Sequence, residues 1–275
     1  MDNIANRMFT PADFQHETDK LLIEQLIQSP AMEKLQQFLA ENRIEAVYQY
    51  YYQSSYVSVT REVSPKMWDM LEKASAMFGL QKIPQLYLTR DYQSGAFVSG
   101  ASEPFIILSS DLLSRLDDDR LLWGILASQT AAVAAGHHQM NYLLWVTDQI
   151  GALIPLNIIP LPDVVKQALS GAVSSGLHKW AQWRTFSLDR AFYLATGDYQ
   201  LTIDQMFLQR MSDGNRKRFG LGGAEDKYRK QKEEFLNDSG LSDVAQKINS
   251  FLRDDAWLPI RCREFEQFVA GRAAK

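Results

Sequence analysis

Leu116–Gln139 reads L-D-D-D-R-L-L-W-G-I-L-A-S-Q-T-A-A-V-A-A-G-H-H-Q. Asp117, Asp118 and Asp119 suit a helix N-terminus, where exposed amide N–H groups and the macrodipole favour negative charge. A run of Leu, Ile and Ala follows and reaches Gly136, His137 and His138, and the stretch is expected to form one helix. Ala131, Ala132, Ala134 and Ala135 are small enough to let another backbone approach closely or to line the floor of a cleft.

Within this stretch L-A-S-Q-T-A-A-V-A-A-G-H resembles the active-site helix of the HtpX-like and CAAX-prenyl-endopeptidase zinc metallopeptidases, whose pattern is L-[AG]-H-E-x-G-H-x-x-x-G-H. The resemblance sets the first zinc-binding His on Ser128, the catalytic Glu on Gln129 and the second His on Ala132, while Gly136 and His137 are retained. The chemistry of H-E-x-x-H needs two imidazoles one helical turn apart and a carboxylate beside them as general base. Ser, Gln and Ala supply none of these.

Two further segments carry the resemblance. W-R-T-F-S-L-D-R-A-F-Y-L-A-T-G-D (Trp183–Asp198) is similar to the family's E-F-x-A-D-R-A-G-L-L-A, whose Glu is the third zinc ligand and falls on Thr185. Phe186, Asp189, Arg190, Ala191, Leu194 and Ala195 match, Leu188 replaces an Ala, and the bulky Phe192 replaces a Gly and is expected to fill space near the former cleft. The family's Asp supports the metal site; Asp189 is expected instead to make structural hydrogen bonds or an ion pair. G-A-F-V-S-G (Gly95–Gly100) resembles the N-A-F-x-x-G edge strand beside the family's cleft, with Ala96, Phe97 and Gly100 matching and Gly95 in place of Asn. Such an edge, with Val98 and Ser99 at its centre, offers backbone groups to an extended peptide.

The 275 residues are 46% hydrophobic and 23% charged, with a formal charge of -4 and a single cysteine, Cys262. That length holds an ample core in one large or two small domains. The missing basic excess argues against a general nucleic-acid binder. Cys262 excludes an intrachain disulfide and reads as a small buried hydrophobe. The start M-D-N-I-A-N-R-M-F-T has neither the basic opening nor the apolar core of a signal peptide, so a cytoplasmic protein is expected.

Glu17–Gln28 sets Leu21, Leu22, Leu26 and Ile27 at helical spacing. Ser29 before Pro30 and Ser64 before Pro65 are N-cap and first-helical-turn signals. Tyr48–Tyr52 reads as a helix whose rings pack the core edge with hydroxyls outward, or else as an aromatic binding surface. Strands are expected at Tyr56–Thr60, Ile83–Thr89, Gly95–Gly100 and Pro104–Ser109. Gly79 is placed to end the helix between the first two. The apolar stretch 141–161 is broken by Asp148, Gln149, Pro155 and Pro160. It reads as a buried helix and loop rather than a membrane span, leaving peripheral membrane contact as an alternative. Helices are expected at Leu201–Met211, Glu225–Phe235, Leu241–Leu252 and Ile260–Val269, with an exposed basic, Gly-rich connection after residue 212.

No other chemistry replaces zinc on this reading. On one helix Ser128 and His137 would stand about 13.5 Å apart on opposite faces, and His137 and His138 would diverge by ~100°. His178 could join one of them only as an adventitious pair. The sequence therefore implies a mainly helical α+β zincin-like domain over residues 55–212, with helical additions at 1–54 and 213–275 packed as one unit. It implies no cofactor and no catalytic residue. The function it suggests is a pseudo-peptidase binding a protein or peptide partner, against an active hydrolase with another site or a membrane-peripheral structural subunit.

Overall fold

A computed structural model describes residues 7–90, 95–116, 118–153, 161–208, 233–234 and 258–273. Side-chain caps start the first helices. After the short α1 (Pro11–Phe14), α2 (Glu17–Ile27) is capped by His16, whose Nδ1 accepts from the Thr18 amide. Ser29 caps α3 (Pro30–Glu41) and Ser64 caps α5 (Pro65–Met77), each with Pro at the first helical position, as the sequence predicts. Between them lie α4 (Ile44–Ser55) and strand β1 (Val57–Val59). Gly79, at φ +67°, follows the end of α5 in the left-handed conformation that suits glycine there.

Strands β2 (Gln85–Thr89), β3 (Ala96–Ser99) and β4 (Phe105–Ser109) complete a mixed sheet of order β1-β2-β4-β3. β4 is parallel to β2 and antiparallel to β3, and all five of its residues are buried, which accounts for its unbroken apolar run. Leu86, Val98, Ile106 and Leu108 pack toward α5 and the next long helix. Tyr87, Phe105 and Ile107 pack on the other face, toward α4 and toward Tyr142 and Val146 further along the chain. β3 lies at the sheet's edge, as expected for Gly95–Gly100.

After α6 (Ser110–Ser114) the central stretch forms α7 (Asp119–Ala134), with Asp118 as N-cap and Asp119 paired with Lys66. Asp117 lies outside the described residues. The expectation of one helix through His138 is corrected: Gly136 takes φ +77° and its amide turns back to Val133, so α7 stops and α8 (His137–Leu153) begins at His137. A Cβ at Gly136 would meet no neighbour, but any other L-residue would be strained in that left-handed conformation. The Ser128–His137 spacing inferred from a continuous helix is therefore void. α9 (Asp163–Ser170), α10 (Ala172–Thr196), α11 (Tyr199–Leu208) and α12 (Leu258–Ala273) follow.

α10, the longest helix among the described residues, packs against α1, α2, α7, α8, α9, α11 and α12. The N-terminal helices and α12 thus share its core, and Cys262 is buried there against Met206. In α8, Tyr142, Leu143, Leu144 and Val146 are buried; among the described residues no helix is long and apolar enough to cross a membrane. Residues 154–160, the basic connection, the Leu241–Leu252 helix and most of Glu225–Phe235 lie outside the described residues; Glu233 and Glu234 are helical.

Two side-chain expectations fail. In α2 the buried residues are Asp19, Ile23 and Leu26, while Leu21 and Ile27 face solvent, because the helix turns a carboxylate inward. In α4 the Tyr48 hydroxyl is not outward but buried, 2.8 Å from Ser99 Oγ.

Candidate functional site

α7 and α10 pack along one another, and the small residues of α7 are what allow it. Ala127 and Ala131 meet Ala191, Leu194 and Ala195 of α10. A Cβ built at Gly124 would fall 2.3 Å from the Phe192 ring, so Phe192 fills a place that only glycine leaves open. Trp123 donates its indole N–H to the Ala195 carbonyl (3.0 Å), and just past the end of α7 His137 meets Trp180 with ring centroids 5.5 Å apart. The helices therefore run antiparallel, and carrying the Trp123–Ala195 and Gly124–Phe192 register along both helices brings Ala132 to about the level of Thr185.

The four positions of interest contain no ligand for a metal. Ser128, Gln129 and Ala132 are buried, Thr185 is half-buried, and the Ser128 hydroxyl donates to the Ile125 carbonyl of its own helix (2.9 Å). Among the described residues no three His, Cys, Asp or Glu side chains converge to hold a metal ion.

Asp189, Arg190, Gly136 and His137, expected from the resemblance to be of interest, have structural partners. Asp189 accepts from Arg261 Nε (2.9 Å) and Nη2 (2.6 Å) and from Gln205 (2.7 Å), joining α10 to α11 and α12. Arg190 lies over the Phe268 ring at 4.9 Å and 3.8 Å from Glu17. Gly136 turns the chain, and His137 Nε2 sits 2.8 Å from Asp19 Oδ2. His178 pairs with Asp148 (3.2 Å) on the neighbouring helix.

Asp19 was not singled out by the sequence. Its buried carboxylate is met by His137 Nε2, Trp180 Nε1 (2.7 Å) and Ser187 Oγ (2.6 Å). Ser, His and Asp meet here in the wrong order for a nucleophile. Ser187 gives its proton to Asp19 and accepts from the His16 amide (2.9 Å), so its hydroxyl is not activated by His137. All three side chains are also shut off from solvent. The group is a structural hub.

At the β3 edge, Gly95 O accepts from Ser109 N, which sets the parity of the ladder: Val98 points its backbone groups outward. Asn141 Nδ2 of α8 donates to the Val98 carbonyl (2.7 Å), occupying part of the edge that the sequence offers to a peptide.

Burial also sets a pH dependence. Desolvation, then His137 beside it, pushes His138 down to about 4 from an ordinary 6.5. Burial and Arg190 likewise lower His16, whose Nδ1 must stay unprotonated to cap α2. For both, the unfolded chain takes the proton first, so stability is fully present above about pH 6.5 and is lost as pH falls. For His138 that loss grows by ~1.4 kcal/mol per pH unit until about pH 4. Urea melts at pH 7, 6 and 5 are expected to show stability falling across this range, with a shallower slope for His138→Gln. Equal slopes would mean that His138 is not held neutral.

No family model, no curated protein and no solved structure matches this chain.

Proposed function

We propose that this chain is a non-catalytic pseudo-metallopeptidase of the HtpX-like, CAAX-prenyl-endopeptidase type on a zincin-like scaffold. Its role is to bind a protein or peptide as an adaptor, regulator or assembly factor. The observation that carries this reading is the antiparallel packing of α7 on α10 with Ala132 level with Thr185. That is the juxtaposition a helix-borne pair of ligands and a third ligand on a second helix require, with apolar or weakly polar side chains in their place. The order of a helix, a short sheet and an edge strand ahead of α7 supports the same kinship. Phe192 against Gly124 fills room that catalysis would have needed open. The partner face on this reading is the Gly95–Gly100 edge, chiefly its Ala96 end, since Asn141 already covers the Val98 carbonyl.

Metal analysis and proteolysis test it together. Protein purified without chelator is expected to hold substoichiometric zinc and to show no chelator-sensitive peptidase activity. Stoichiometric zinc with such activity would defeat the proposal. The quadruple variant Ser128→His, Gln129→Glu, Ala132→His, Thr185→Glu is expected to gain one tightly bound zinc. A variant that folds by circular dichroism yet takes up none would refute the kinship, whatever the wild type binds.

A further inference from the structure

We propose a second site, independent of the pseudo-peptidase reading: the aromatic cleft between α4, α8 and the sheet binds a trimethylammonium group. The cleft encloses about 590 Å³, within the range of small-molecule sites. Six aromatic rings line it: Tyr48, Tyr51 and Tyr52 of α4, Tyr56 beyond it, Phe97 of β3 and Trp145 of α8. Three neighbouring pairs stand nearly perpendicular, Tyr48 to Tyr52 at 78°, Tyr51 to Tyr52 at 84° and Tyr51 to Tyr56 at 81°, while Tyr48 to Trp145 and Tyr52 to Tyr56 tilt at 45° and 49°. Walls inclined to one another in this way surround a compact rounded group better than they sandwich a flat one.

The hydroxyls are tied up inside the protein. Tyr48 bonds Ser99 and Tyr52, and the Tyr56 hydroxyl feels Tyr51 and Thr89 beside it. Burial holds Tyr48 and Tyr56 up at about 12 and outweighs the lowering by Ser99 and Tyr52 on the first and by Thr89 on the second, so the rings stay neutral at any physiological pH. Tyr48 and Tyr52 are buried and form the floor; what the walls offer a guest is therefore the exposed ring of Tyr51 and the half-buried rings of Tyr56, Phe97 and Trp145, whose faces carry a negative quadrupole that attracts a cation.

None of the residues described as lining the cleft is charged. Among the described residues an anion finds no countercharge in the lining, and the cations that lie over rings do so elsewhere: Arg184 over Trp180, and Arg190 and Arg272 over Phe268. A fully methylated ammonium needs no hydrogen-bond acceptor and loses little hydration on entry, which suits a cleft without a carboxylate. Tyr51 and Val47 at the rim are well exposed, leaving the mouth accessible.

Choline and its carbon isostere 3,3-dimethylbutan-1-ol separate cation from apolar recognition, since they differ only in the charged nitrogen. Calorimetric and saturation-transfer NMR titrations at matched ionic strength are expected to show saturable choline binding, with the isostere at least tenfold weaker. Tyr51→Ala and Trp145→Ala, with folding verified by circular dichroism, are expected to weaken choline at least tenfold, while Tyr51→Phe retains it. Flotation with phosphatidylcholine vesicles would assign the group to a lipid headgroup; choline binding without flotation would assign it to a free solute. Equal binding of the isostere, no choline binding, or folded Ala variants that bind unchanged would each overturn the proposal.

Discussion

Replacing Asp189 by Ala is expected to destabilise the protein by roughly 3–5 kcal/mol, because it strands a buried guanidinium. Asp189 and Arg261 are 1% and 2% exposed, and the carboxylate takes two bonds from the guanidinium and one from Gln205. Desolvating both ions is costly, and only their mutual, bidentate pairing offsets it. Removing one partner keeps the cost and discards the compensation. Arg261→Ala should behave similarly, with a cavity added where the long side chain ran through the α10–α12 interface. Converting both together, Asp189→Leu with Arg261→Met, should recover most of the loss, since an apolar pair of similar volume carries no desolvation cost. Urea denaturation of the three variants checks this. A loss below about 1 kcal/mol for Asp189→Ala would mean that the pair is not formed. In this structure the Asp189 carboxylate fastens α12 to α10.

Local signals in the sequence were read well where the physics is local. Ser29-Pro30 and Ser64-Pro65 start helices because a hydroxyl and a missing amide N–H both act within one turn. The sheet strands emerged from β-branched and apolar runs within two residues of their observed ends. Gly136 shows where such reading goes astray: taken as a motif position inside a helix, it is the residue whose left-handed backbone ends one. In α2 a search for apolar periodicity chose Leu21 and Ile27, because nothing nearby reveals that Asp19 is the residue turned inward. Its partners His137, Trp180 and Ser187 are 118, 161 and 168 residues away. The complement of Gly124 and Phe192 is likewise a property of the packed helices and of neither segment alone. Ser128, Gln129, Ala132 and Thr185 can be named from a sequence pattern alone, whereas what those side chains touch is set by distant segments.

Asp19→Ala is expected to cost a similar amount, roughly 3–5 kcal/mol, for a different reason: three buried donors lose their acceptor at once. Each unsatisfied donor costs about 1–3 kcal/mol, and partial collapse of the site brings the sum below the simple total. Asp19→Asn should lose about half as much, since its carbonyl can serve Trp180 while its amide can face a His137 that has shifted its proton to Nδ1. That nitrogen has no partner in the wild-type structure, so the shift displaces no existing bond. The pH dependence separates the charged acceptor from a merely polar one. Burial by itself raises the Asp19 carboxyl, but attraction to His137 and hydrogen bonds from His137, Ser187 and Trp180 outweigh it and leave the group below its ordinary 3.8. The unfolded chain therefore protonates first, so the stabilisation is complete above about pH 4 and is lost as pH falls through the depressed folded value. Thermal melts between pH 5 and 2.5 are expected to show this acid loss in the wild type and a smaller one in Asp19→Asn, on top of the earlier decline from His16 and His138. If both proteins lose stability in parallel below pH 4, the carboxylate is not the charged centre of the hub, and the junction of α2, α8 and α10 rests on apolar packing alone.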